Sequence, residues 1–327
     1  MSETLSITLR DGRTLCYGIY GSSSLTASLT IFYFHGFPAS HHEASVLDAA
    51  ARALDIRIVA PDRPGMNGST FQPDRAITGW PADVLELADH ESVRASTFAV
   101  LGTSGGAPYV LACCVATIIP KSRLLCAGVV SGLYPTSLGT AGMLMGPRMM
   151  LWLAPRVPGL VEKIMEWGFV SALRDDDDGD GNGNGKSEKL MDDTMRGRPA
   201  PDKKVWEDNE GGAREMLIAS VRGALVNGSA KGAAWEARLF GSPWGFALGD
   251  VRMGPGKLML WHGDQDVNTP LAMAREAHKL LEGSELVVEA GEGHVSLLIH
   301  RVARVLEELK QRGGANTGNT GDSGIAT

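Results

Sequence analysis

A serine stands between glycines at Gly102-Thr103-Ser104-Gly105-Gly106, directly after the apolar run FAVL (98–101). The pattern is G-x-S-x-G, placed where a strand gives way to a helix. A serine at such a junction sits on a tight turn with its hydroxyl exposed above the sheet, and flanking glycines relieve the crowding. Serine at its ordinary basicity is a poor nucleophile, so chemistry at Ser104 requires a base to take its proton and an acid to orient that base. His294 in GEGHVSLL (291–298) and Asp266 in WHGDQDVNTP (261–270) provide the two. The chain order Ser, Asp, His belongs to one hydrolase fold and to no other common triad. Asp264, on the same loop but nearer the strand end, competes with Asp266 for the acid's role. The inert alternatives are a tight strand–helix turn at Ser104 and, for Asp266, a carboxylate favoured by the helix start near Pro270.

Acyl transfer also needs donors for the oxygen that becomes negative. The backbone N–H of Gly105, at the helix start, points to where that oxyanion would form. The second donor is expected from His35-Gly36-Phe37-Pro38, after the apolar run LTIFYF, with the N–H of Phe37 as the candidate and Pro38 fixing the loop. His35 reads as a structural histidine organising this loop. His41 and His42 invite a metal reading, but no third ligand stands at a useful spacing, so two exposed polar side chains at a helix start are expected.

These side chains need a rigid frame. Continuous apolar runs of strand length occur at 29–36, 56–62, 98–104, 124–132, 257–264 and 285–294, preceded by a hairpin over 5–20 that turns at Asp11-Gly12. Strands apolar on both faces belong inside a parallel sheet covered by helices. Helical patterns fill 43–54, 80–91, 105–118, 270–282 and 295–310. The alternation predicts a doubly wound α/β fold. It breaks once, between Tyr134 and about Gly256, where a mostly helical cap is expected. The predicted division is a core of 1–133 and 257–312 with a cap of 134–256. Within the cap, RDDDDGDGNGNGK (174–186) has no apolar residue and is expected to be disordered, as is the tail 313–327. A calcium loop at 174–186 is disfavoured because the glutamate at the twelfth loop position is out of register.

The 327 residues are 43% hydrophobic and 21% charged, with a net charge of −7. No basic stripe suited to nucleic acid is present. Cys16, Cys113, Cys114 and Cys126 show no zinc-like spacing and read as buried thiols. The N-terminal MSETLSITLRDGRTL lacks a signal-peptide layout, so a cytoplasmic location is the default. The uncharged stretches 95–120 and 124–147 are long enough to span a bilayer, but glycines and prolines divide them into strand, turn and helix, so no membrane association is expected.

On HGFP (35–38), PDRPGMNGST (61–70), GTSGG (102–106), WHGDQDVNTP (261–270) and GEGH (291–294), the chain resembles the α/β-hydrolase superfamily. The cap segment GAAWEARLFGSPWGFALGDV (232–251) looks like one common in capped members. The resemblance implies the α/β-hydrolase fold, a nucleophile at Ser104 and no cofactor or metal. Epoxide hydrolases and haloalkane dehalogenases of this superfamily carry aspartate at that place. The implied activity is that of an esterase, lactonase or thioesterase on a small-molecule substrate. A C–C bond hydrolase of diketones with the same triad, or a ligand-binding protein on the same fold, are the alternatives. Asn67 departs from the family's usual glycine, but asparagine tolerates positive φ. Substrate choice is expected in the cap, where GMLMGPRMMLWLAP (142–155) and IMEWGF (164–169) offer pocket surface or pack as the cap's own seam.

Overall fold

The computed structural model describes residues 3–115, 117–174 and 185–314. Each apolar run becomes a strand: β1 (Leu5–Thr8), β2 (Thr14–Gly21), β3 (Leu29–Phe34), β4 (Ile56–Pro61), β5 (Phe98–Thr103), β6 (Leu124–Val130), β7 (Leu258–Gly263) and β8 (Ser284–Glu289). They form one sheet in the order β1-β2-β4-β3-β5-β6-β7-β8. The pairs β1–β2 and β2–β4 are antiparallel and the remainder parallel. β4, β5 and β7 are buried at every residue, as strands covered on both faces must be, whereas β8 at the edge is only partly covered.

Two apolar layers flank the sheet. One face packs under α2 (Trp80–Asp89), α3 (Ala107–Val115) and α11 (Leu271–Leu280), through Trp80, Val84, Val110 and Met273. The other packs under α1 (Asp48–Ala53) and α12 (His294–Gly314), through Ala51, Leu297, Leu306 and Leu309. The chain passes from β3 outward to β4 and then crosses back to β5 on the other side of β3. The connections leaving β3 and β5 therefore diverge, which opens a crevice at the strands' C-terminal ends.

Between β6 and β7 lie α4 (Met145–Leu153), α5 (Pro158–Met165), α6 (Ser171–Arg174), α7 (Lys186–Met195), α8 (Ala200–Glu207), α9 (Ala213–Arg222) and α10 (Ala230–Gly241). They share a separate apolar cluster that includes Met165, Met191, Trp206 and Ala233, into which the core contributes Met66 and Val295. The 142–155 and 164–169 stretches divide differently from expectation. Leu151, Ala154 and Met165 are buried, but Met145, Met149, Trp152, Ile164 and Trp167 face outward, so only part of this apolar surface builds the seam. Within the segments expected to be disordered, Arg174 closes α6, Gly185 and Lys186 open α7, and Gly313 and Gly314 end α12. Residues 175–184 and 315–327 lie outside the described residues. Among the described residues no helix is long and apolar enough to cross a membrane.

Candidate active site

β5 ends at Thr103 in extended conformation, and Ser104 follows with φ +52° before the short turn Ser104–Gly106 runs into α3. This left-handed backbone is costly for a non-glycine residue and persists only where packing enforces it. The enforcement is visible at Gly106, where a Cβ would lie 2.1 Å from the Phe34 carbonyl oxygen. The helix start is pressed onto the end of β3. A Cβ on Gly105 would likewise meet the Phe37 Cβ at 2.9 Å, so the loops after β3 and β5 touch beside Ser104.

His294 opens α12, and its Nδ1–H donates to Asp266 Oδ2 at 2.7 Å. That bond leaves Nε2 as the ring's basic nitrogen. Asp266 is buried and accepts the N–H groups of Asn268 at 2.8 Å and Thr269 at 2.9 Å on Oδ1, with the Thr269 hydroxyl at 3.0 Å on Oδ2. Burial alone would raise its pKa, but His294, then His262 and the Thr269 N–H, outweigh burial and hold the carboxyl at about 2. Asp264 is exposed and accepts the Gly291 N–H at 2.9 Å. It ties two loops together, while Asp266 alone of the pair meets the histidine.

The loop after β3 is bound on both sides. Arg63, fully buried, donates to the carbonyl oxygens of His35 at 2.6 Å and Gly36 at 2.7 Å, while Glu43 Oε1 accepts the Gly36 N–H at 2.8 Å and the Tyr33 hydroxyl at 2.6 Å. Burial pushes the Glu43 carboxyl up, against these donors. His35 is enclosed beside Arg63, and burial, with that guanidinium next, drives its pKa well down. It is a neutral element of the loop. The expectation of two exposed histidines at 41 and 42 is corrected: His41 is fully buried with Nδ1 2.6 Å from Asp62 Oδ2, and His42, half-buried, lies against its ring at 4.1 Å. Asn67 adopts φ +41° and donates to Asp62 Oδ2 at 3.0 Å, so the turn keeps its shape without glycine.

Ser104, His294, Gly36, Phe37 and Glu43 line one cavity of about 140 Å³, closed by Phe169, Met191, Met195, Met216, Leu217 and Arg198 of the helical insertion. The family model described as "Alpha/beta hydrolase family" matches residues 31–308, most of the chain. The chain belongs to the alpha/beta hydrolase family. No curated protein gives a match. Among solved structures, the hydrolase is similar to the enol-lactonase from Burkholderia xenovorans, at TM-score 0.62 and 17% identity over 93% of this chain and 99% of that one. It is similar to a thermophilic esterase from Thermogutta terrifontis at TM-score 0.57 and 17% identity, over 95% and 99% of the two chains. A structure described among novel epoxide hydrolases from hot-environment metagenomes gives 0.59 and 16%, over 94% and 98%. Such identities show a shared fold.

Three further parts of the hydrolase's site escape a reading by motif. The single hydroxyl proton of Thr269 is shared between Asp266 Oδ2 and the Ser131 carbonyl, 2.9 Å away, which ties the Asp266 loop to the end of β6. His262 lies 3.5 Å from Asp266 Oδ2 and hydrogen-bonds the Thr269 carbonyl through Nε2 at 2.5 Å. Asp202, on α8, accepts the N–H groups of His294 at 3.1 Å, Val295 at 2.9 Å and Ser296 at 3.0 Å, so the insertion caps the helix that begins with the histidine. The contacts of Thr269 and His262 had a local signal, since both stand in WHGDQDVNTP; Asp202 had none.

Proposed function

We propose that this hydrolase cleaves an ester-type bond, in a carboxylic ester, lactone or thioester, through an acyl-enzyme on Ser104. The observation that carries the reading is a serine held in left-handed conformation on the wall it shares with His294, whose Nδ1–H is committed to Asp266. His294 Nε2 takes the Ser104 proton as Oγ attacks the substrate carbonyl. The N–H groups of Gly105 and Phe37 receive the oxyanion, each donor lowering the barrier by about 3 kcal/mol. The imidazolium passes its proton to the leaving oxygen or sulfur, and the acyl group stays on Oγ. Water then gives a proton to His294, attacks the acyl carbon, and Ser104 leaves with the proton returned.

Asp266, ionised at any pH where the protein works, stabilises the imidazolium. The aspartate expected at the nucleophile's place for epoxide or haloalkane substrates is here a serine, which favours acyl chemistry. Methionine and leucine on the cavity wall suit a small to medium apolar acyl group. The test is labelling by a fluorophosphonate probe read by intact mass, on wild type, Ser104→Ala and His294→Ala. Labelling of wild type alone, followed by turnover of an ester, lactone or thioester, is expected. Turnover confined to diketones would replace ester cleavage by C–C cleavage. Ligand binding that survives Ser104→Ala without wild-type turnover would indicate a binding protein.

A further inference from the structure

The proposed chemistry leaves one cation on the cavity wall unused. Arg198 lies between α7 and α8 and lines the same cavity as Ser104 and His294. Its side chain is 15% exposed, and Nε and Nη1 are enclosed with no hydrogen-bond partner. The nearest carboxylate oxygen is Asp202 Oδ2, 3.9 Å from Nη1, beyond hydrogen-bond reach. Asp202 is in any case occupied by three backbone N–H groups at the start of α12. The cavity's own carboxyl, Glu43, is held by the Tyr33 hydroxyl and the Gly36 N–H.

Arginine keeps its charge even where burial presses its pKa down, as it does here. Asp202 and Asp266 give this enclosed guanidinium some charge compensation, but two of its N–H donors, at Nε and Nη1, have no acceptor, which is a cost to the free protein. Its planar fork matches a carboxylate in two-pronged fashion, so an acidic ligand in this cavity would offset that cost. We propose that Arg198 anchors a carboxylate on the substrate, and that the preferred substrates are esters bearing a free carboxylate a few carbons from the scissile bond, as in half-esters of short dicarboxylic acids. The cavity is apolar apart from Glu43, Arg198, the small hydroxyls and amide around it, and the Ser104–His294 end. Its size restricts the spacer to a short chain.

The substrate class rests on the serine-hydrolase reading, but the anchor is testable without turnover. Isothermal titration with glutarate, with 1,5-pentanediol as the uncharged baseline, is expected to show saturable binding to wild type. Binding should weaken at least tenfold in Arg198→Met and less in Arg198→Lys, which keeps a charge and guards against a folding defect in the first variant. In kinetics, the kcat/KM ratio of p-nitrophenyl hemiglutarate to p-nitrophenyl valerate should exceed ten and collapse toward one in Arg198→Met. A merely structural role for Arg198, acting through Asp202 on His294, would change both esters together and leave the ratio standing. Absent glutarate binding, or binding and a ratio indifferent to Arg198→Met, overturns the anchor. Glutarate binding that depends on Arg198, with neither ester hydrolysed and no probe labelling, retains the anchor and overturns the hydrolytic reading.

Discussion

Asp264 and Asp266 share one loop, yet only Asp266 is buried against His294 and three further hydrogen-bond donors, while Asp264 accepts a loop N–H at the surface. In a triad the acid holds the imidazole in its productive tautomer, and its amide replacement fails because it reverses that bond. Asp266→Asn is therefore expected to lower kcat about a thousandfold or more, and Asp264→Asn to change it less than about threefold. Steady-state kinetics on one chromogenic ester measures both. Equal losses would mean that Asp264 serves as the acid or that the loop, rather than the charge, is what matters.

At the scale of elements, the insertion is built into the site as well as over it. Glu236 on α10 is fully buried and meets Arg63 at 2.5 Å and Arg75 at 2.8 Å, so a carboxylate of the insertion completes the network that grips the His35–Gly36 carbonyls. Asp202 on α8 does the corresponding work for α12. Asp202→Ala would strand helix N–H groups and free the backbone of His294. The expected outcome is a stability loss of about 1–2 kcal/mol and a drop in kcat of at least about tenfold. Asp202→Asn, which can still accept, should recover part of both. Urea unfolding and the rate of fluorophosphonate labelling check the two effects separately, and a loss of stability with labelling unchanged would reduce Asp202 to a structural cap.

Across the whole molecule, burial decides the response to acid. His35, His262 and His42 are all held below the ordinary imidazole value, chiefly by burial, His42 at about 4. An unfolded chain protonates each near about 6.5, so below that pH the unfolded state binds more protons and stability falls. His300 opposes this. Its partners Glu210 and Glu292 outweigh its own partial burial and raise its pKa, a contribution present in acid and lost as pH rises through its folded value. Three displacements against one predict that the urea midpoint falls between pH 7.5 and 5.5, with Asp266 adding to the loss only below about pH 4. A midpoint that holds or rises over that interval would contradict the assignment of neutral buried histidines.

Sequence alone determined the sheet, the tight turn at Ser104 and the chain order of the three candidate groups. Those depend on features carried within a few residues: apolar runs of strand length, glycines where two backbones approach, and an Asp-rich loop followed by a histidine before a helix. Tertiary structure alone decided between Asp264 and Asp266, since two carboxylates on one loop differ only in which way the folded loop turns each. It also buried His41 against Asp62 instead of exposing it, and turned Met145, Trp152 and Trp167 outward. The pairing of Asp202 with His294 spans 92 positions, and Arg198 acquires its setting only where the end of α7 meets the cavity that Ser104 and His294 line. Local pattern specifies what a segment becomes; which distant polar group meets it is settled by packing, because burial makes each unsatisfied group too costly to leave to chance.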